Sequence, residues 1–102
     1  MSQAIEQLVR EAGIVGAGGA GFPTHVKSGA KADTVIANGA ECEPLLRCDK
    51  AVMQDRTEAV LLGLAALATA TAARRVVLAL KGHHHDLVRR VRGVASRVTP
   101  SV

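Results

Sequence analysis

Aromatic residues are almost missing from this chain: Phe22 is the only ring-bearing Phe, Trp or Tyr among 102 residues. A core without large rings gains less from burial, and a domain of this length buries only about two-thirds of its unfolded surface, so thin intrinsic stability is expected. Help from a ligand, a partner or further sequence follows from that. Cysteine is scarce as well. Cys42 and Cys48 stand six apart, which suits neither the disulfide framework of a small secreted domain nor a paired-thiol metal hook. Reduced thiols in the cytoplasm are the expectation. The longest uncharged run, 59–73, has 15 residues, against the roughly 20 that span a bilayer. The N-terminus carries no basic-then-apolar leader, because Glu6, Arg10 and Glu11 interrupt it.

What is present is ordinary for a single globular domain: 48% apolar and 22% charged residues, with a net charge of +4. The charge is unevenly spread. Residues 61–102 hold seven basic side chains and one acidic, whereas the first sixty are slightly acidic. Arg89, Arg90, Arg92 and Arg97 alternate with Leu87, Val88, Val91, Val94 and Val98 at helical spacing, which reads as a solvated basic helix face. A nucleic-acid footprint would need stacking rings that this chain lacks, so no nucleic acid is expected.

Along the chain, Ser2 suits the start of a helix through Ala12, with Ile5, Leu8, Val9 and Ala12 on one face and Gly13 as its stop. A loop follows that contains Gly13, Gly16, Gly18, Gly19 and Gly21, and Pro23 can open a short helix over Thr24 to Lys27. Thr34 to Ala37 and Val76 to Leu80 are compact apolar runs that suit buried strands. Between them Asp49 can begin a short helix, and Asp55-Arg-Thr-Glu58 has capping-box spacing for a longer one to about Ala72. Asp86 to about Val98 closes the pattern as an amphipathic helix. The order α, glycine loop, β, α, β, α predicts an α/β fold: a partial Rossmann-like three-layer domain with parallel strands. Two strands make a small sheet, so residues 1–102 read as a single truncated domain.

The glycine loop is the most informative segment. Backbone amides without side chains can approach an anion closely, so a phosphate is the natural ligand, although a plain flexible turn has the same composition. Gly16-Ala-Gly-Gly-Ala-Gly21 formally matches the dinucleotide fingerprint GxGxxG. Only Ile14 and Val15 precede it as strand material, which argues against a true Rossmann turn. Asn38-Gly-Ala-Glu41-Cys-Glu43-Pro44 lies just beyond a strand, where open α/β sheets place ligands. Its carboxylates would repel phosphate, so a ring edge, a ribose or an amide is the better match, with solvated loop acids as the alternative. Lys27 can reach an anion from the short helix or simply face solvent. His83-His-His85 reads as a turn rather than a metal site, and His25 has no assigned role. Cys42 and Cys48 alone cannot hold an iron-sulfur cluster.

Gly16-Ala-Gly-Gly-Ala-Gly-Phe-Pro-Thr-His-Val-Lys27, followed by Asn38-Gly-Ala-Glu-Cys-Glu-Pro44 and Cys48-Asp49, resembles a known family. It is the FMN- and NADH-binding domain of the complex I flavoprotein, of the C-subunit in the Rnf electron-transport complex, and of the cobalamin reductase of propanediol-utilisation microcompartments. The likeness runs from about Ala4 to about Gly93 and is closest to the Rnf and cobalamin-reductase branch. It implies that Gly16, Gly18 and Gly19 line the FMN phosphate and ribityl chain, with Lys27 close to the flavin. Asn38 and Glu41 would contact the flavin, Glu43 would face the nicotinamide end of NADH, and Phe22 would stack on its adenine. The implied activity is hydride transfer from NADH to flavin, then release of electrons to an iron-sulfur centre or another acceptor outside this chain. No catalytic acid, nucleophile or metal ligand is implied within it. The chain stops before the later part of the family's flavin domain, so a partner supplying the remainder, or an iron-sulfur protein, is expected. So is association with a membrane complex or a microcompartment. A non-catalytic nucleotide-binding or docking fragment is the alternative.

Overall fold

The computed structural model describes residues 2–16, 20–40, 48–99 and 102. Helix α1 (Ser2–Glu11) ends where expected: Gly13 takes φ +69°, its N–H bonds the Arg10 carbonyl at 3.1 Å, and the Ile14 N–H bonds Val9 at 3.3 Å. That pair of bonds is the Schellman closure, which favours glycine because a Cβ strains the left-handed region. The expected apolar stripe holds only in part. Ile5 and Val9 are half-buried, but Leu8 is exposed, because the neighbours of α1 cover a narrower strip than the sequence offers.

Helix α2 (Thr24–Ser28) is a single turn behind Pro23. Strand β1 (Thr34–Asn38) pairs in parallel with β2 (Arg75–Ala79), in the register Val35 to Val76 and Ala37 to Leu78. Between the strands lie α3 (Cys48–Asp55) and α4 (Thr57–Thr71), and α5 (His85–Val98) follows β2. Helices and a two-stranded parallel sheet make this a partial α/β fold of the Rossmann-like kind. The strands are not fully buried as the apolar runs suggested. Val35 is buried, while Ile36, on the opposite face of the pleat, is 65% exposed. Helix α4 lies against both strands.

The core gathers Met53, Leu61, Leu87, Val91 and Ala95, flanked by Val60, Leu78, Leu80, Val94 and Val102. Three helices therefore supply most of it, and Leu61 on α4 is its fully buried centre. The arginines of α5 face outward as the spacing indicated; Arg89 pairs with Asp86 at 2.6 Å in an exposed contact of little energetic weight.

The expected capping box at Asp55-Arg-Thr-Glu58 does not form. Helix α3 runs to Asp55, and the residue capping α4 is Arg56, without a side-chain bond. Thr57 is turned instead to the end of α3: its hydroxyl donates to the Met53 carbonyl and lies 3.2 Å from that of Gln54. It meets two of the acceptors that a helix end leaves unpaired.

The end of α4 repeats the closure of α1 with an alanine. Ala72 sits at φ 57°, with its N–H bonded to Thr69 and that of Ala73 to Ala68. An alanine there costs about 1 kcal/mol. Ala72→Gly is expected to raise the melting temperature by several degrees, given roughly 4–8 °C per kcal/mol at this size. An unchanged or lower melting temperature would contradict that reading.

Candidate functional site

The glycine loop is held at its base by antiparallel backbone bonds. The Gly16 N–H donates to the Phe22 carbonyl at 2.8 Å, the Thr24 N–H donates to Ile14 at 3.1 Å, and Val15 bridges Pro23. One bridge is far short of the strand that a Rossmann turn requires, and the following helix has five residues, so the dinucleotide-fingerprint reading is set aside. Pinned this way, the loop brings Phe22 and Lys27 together: the Lys27 Nζ lies 5.5 Å from the centroid of the Phe22 ring. Phe22 is 48% exposed, and Ile14, Val15 and Val26 are similarly open. Four half-exposed apolar side chains around one loop base are more than solvation requires.

Asn38 closes β1. Its Oδ1 accepts the Ala40 N–H at 3.1 Å, which leaves the amide NH2 as a donor, and the next N–H, of Gly39, extends the ladder to Ala79 at 2.8 Å. Helix α2 packs on α1 and α4 and touches neither strand, so Lys27 and Asn38 sit on separate parts of the described structure. The structure thus joins Gly16, Phe22 and Lys27 and leaves Asn38 apart from them. Gly18, Gly19, Glu41 and Glu43 lie outside the described residues.

What this surface can hold follows from its donors. Gly21 takes φ +64°, and among the described residues nothing beyond its chain neighbours lies within 4 Å of where its Cβ would be, so backbone is open to a ligand on that side. Lys27 is exposed, and no carboxylate among the described residues pairs with it. An open glycine backbone and an available ammonium suit a phosphate such as that of FMN, and the accessible Phe22 ring beside them can take the flat face of a second heterocycle.

Sequence reasoning missed the packing beneath Asn38. A Cβ on Gly39 would come within 2.9 Å of Met53 Sδ, Met53 Cε and Leu80 Cδ2, closer than real contacts allow. The Asn-Gly pair signalled a turn, but nothing local to Met53 signalled that it fills the space beside that turn. Gly82 and His83 form the turn after β2, His84 caps α5 and His85 opens it, and no group of three or more metal-ligating side chains occurs among the described residues. No helix among them is long and apolar enough to cross a membrane.

Comparison with known proteins gives this arrangement a context. The model of the Nuo51 FMN-binding domain matches residues 9–100. The cobalamin reductase PduS of Citrobacter freundii is 50% identical over 80 residues, which are 78% of this chain and 18% of that protein. The C-subunit of the Na(+)-translocating ferredoxin:NAD(+) oxidoreductase complex of Acetobacterium woodii is 51% identical over 67 residues, 62% of this chain and 15% of that one. The C-subunit of the ion-translocating oxidoreductase complex of Salmonella gallinarum is 35% identical over 95 residues, 90% of this chain and 14% of that one. The chain therefore spans less than a fifth of the length of these relatives.

Proposed function

The chain belongs to the Nuo51 FMN-binding domain family, and from that premise we propose that it is the flavin-phosphate-holding part of an NADH-dependent electron-transfer oxidoreductase. The observation that carries this reading is the glycine loop pinned by Gly16 and Phe22, with the Lys27 ammonium beside the exposed ring. Residues 1–102 act as one domain segment. Gly16, Gly18 and Gly19 line the phosphate and ribityl chain, with the loop amides beyond Gly16 donating to their oxygens, and Lys27 offsets the phosphate charge. The free amide of Asn38, with Glu41, orients the ring edge. Phe22 offers its face to the adenine of NADH, and Glu43 faces the nicotinamide end. FMN, when bound, supplies hydride acceptance and one-electron release. The protein contributes position and electrostatics, and no side chain of this chain serves as acid, base or nucleophile.

Electrons leave to an iron-sulfur centre or another acceptor carried by further sequence or a partner protein. The ferredoxin and NAD(+) in the name of the Acetobacterium relative support both ends of that route. Relatives that are subunits of ion-translocating complexes support docking on such an assembly, and the reduced thiols expected of Cys42 and Cys48 favour its cytoplasmic side.

Titration of the purified chain against FMN and against riboflavin, followed by flavin fluorescence, tests the reading. FMN is expected to bind at least about tenfold tighter, since riboflavin lacks the charged group that Lys27 and the loop amides recognise. A bulky residue at Gly19, or Glu41→Ala, should abolish the quenching. Equal affinity for the two flavins would overturn the phosphate assignment. FMN binding without reduction by NADH would favour a non-catalytic nucleotide-binding module.

A further inference from the structure

Helix α5 carries four arginines and a single acid, Asp86, within its 14 residues. Helix faces that merely meet water mix charges of both signs, so this bias asks for a cause. Asp86, Arg89, Arg90, Gly93, Val94 and Arg97 share one face at helical spacing and line a shallow groove along it. Leu87, Val91 and Ala95 turn into the core, which leaves the groove facing outward. Arg92 points elsewhere, toward the hollow between α5 and Leu78 of β2.

The guanidinium groups of the groove are held in advance. Arg90 Nε donates to the hydroxyl of buried Thr57 at 2.9 Å, so the side chain is anchored in the protein while its terminal NH2 groups remain as donors. Arg97 turns back along the helix, with its Nε 3.4 Å from the Gly93 carbonyl, and Arg89 is braced by Asp86 at 2.6 Å. No carboxylate among the described residues pairs with Arg90 or Arg97. Between these arginines Gly93 is exposed in mid-helix, where glycine is less favourable than alanine, and nothing beyond its own helix lies within 4 Å of where its Cβ would be. Packing within the described residues does not account for it, whereas close approach from outside does.

The spacing selects the partner. Arg89 to Arg97 covers about 12 Å of helix, too far for one phosphate or one carboxylate to bridge, but several carboxylates on a protein surface can meet it. Planar guanidinium forks match carboxylates at two points each. A lipid surface suits the helix less: among the described residues none of the exposed large apolar side chains lies on α5, so it has nothing to insert among acyl chains. We propose that this groove of α5 is a docking surface for an acidic protein, whose carboxylates seat between Arg90 and Arg97 over Gly93. The groove shares no residue with the glycine loop or with Asn38, so it stands whether or not flavin binds.

The test adds a glutamate decapeptide to the isotope-labelled chain without flavin, at low salt, and reads amide signals and affinity. Signals of residues 86–97 should move. Affinity should fall about fivefold in Arg97→Gln, in Arg90→Lys, which keeps the charge but loses the fork, and in Gly93→Leu, which keeps every charge and fills the notch. Arg92→Gln removes the same charge from outside the groove and should change affinity less than about twofold. All four positions are exposed, so the melting temperatures should stay close to that of the parent chain. Equal losses in Arg92→Gln and Arg97→Gln would show attraction to net charge alone and overturn the docking groove. Inorganic phosphate that displaces the peptide at equal concentration would overturn it as well. So would α5 signals that respond to vesicles of equal parts phosphatidylserine and phosphatidylcholine but not to the peptide.

Discussion

Leu61→Ala is expected to destabilise the chain by about 2–5 kcal/mol, the range for a fully buried leucine whose cavity does not collapse. Leu61 is 0% exposed at the centre of a cluster that α3, α4 and α5 build around it. A domain of this size has only about 5–15 kcal/mol in total, and with no aromatic ring in its core this one should lie near the lower end. Urea denaturation followed by circular dichroism should show a midpoint shifted far toward water, or no folded baseline. Leu62→Ala, one position along the same helix at 48% exposure, should cost less than about 1 kcal/mol. Equal losses for both variants would mean that α4 does not present the face described here.

Lys27→Glu is expected to weaken FMN binding by roughly ten- to a hundredfold, since it removes a charged donor and sets a carboxylate against a phosphate. The melting temperature in the absence of flavin should barely move: Lys27 is exposed, and the one described contact of its side chain is with the Phe22 ring. Binding to the unaltered chain should also weaken as salt is raised, and that dependence should be largely lost in the variant. Loss of stability with affinity unchanged would place Lys27 among structural residues instead.

Most of the element order was legible because its signals are local. The Gly13 stop, Pro23 ahead of a short helix, the two apolar strand runs and the heptad-like spacing of Leu87, Val91 and Val94 each depend on neighbours within one or two turns. Errors arose where a distant partner decides. The Asp55 to Glu58 spacing looked like a cap for α4, but α3 extends through Asp55, and Thr57 serves the end of α3 while its hydroxyl accepts from Arg90. The apolar strands looked buried on both faces, yet burial depends on what covers each face, and Ile36 has no helix over it among the described residues. Leu8 failed for the same reason.

The site divides along the same line. Glycines, Phe22 and Lys27 lie within twelve residues, so one loop brings them together and the motif could reveal them. Met53 and Leu80 fill the space beside Gly39 from distant points in the chain, through packing alone. No spacing rule marks it, and only the volume missing at glycine shows that something must fill it.

The most direct test of the flavin-phosphate assignment is the map of backbone amide signals that move when FMN is added to the isotope-labelled chain. Perturbations are expected to concentrate in residues 16–27 and 38–41, to be absent from the glycine loop with riboflavin, and to leave the arginine face of α5 untouched. Perturbations centred on Arg89, Arg90 and Arg97, with the loop unmoved, would show the ligand drawn to positive charge alone and would contradict the assignment of the glycine loop as the flavin-phosphate cradle.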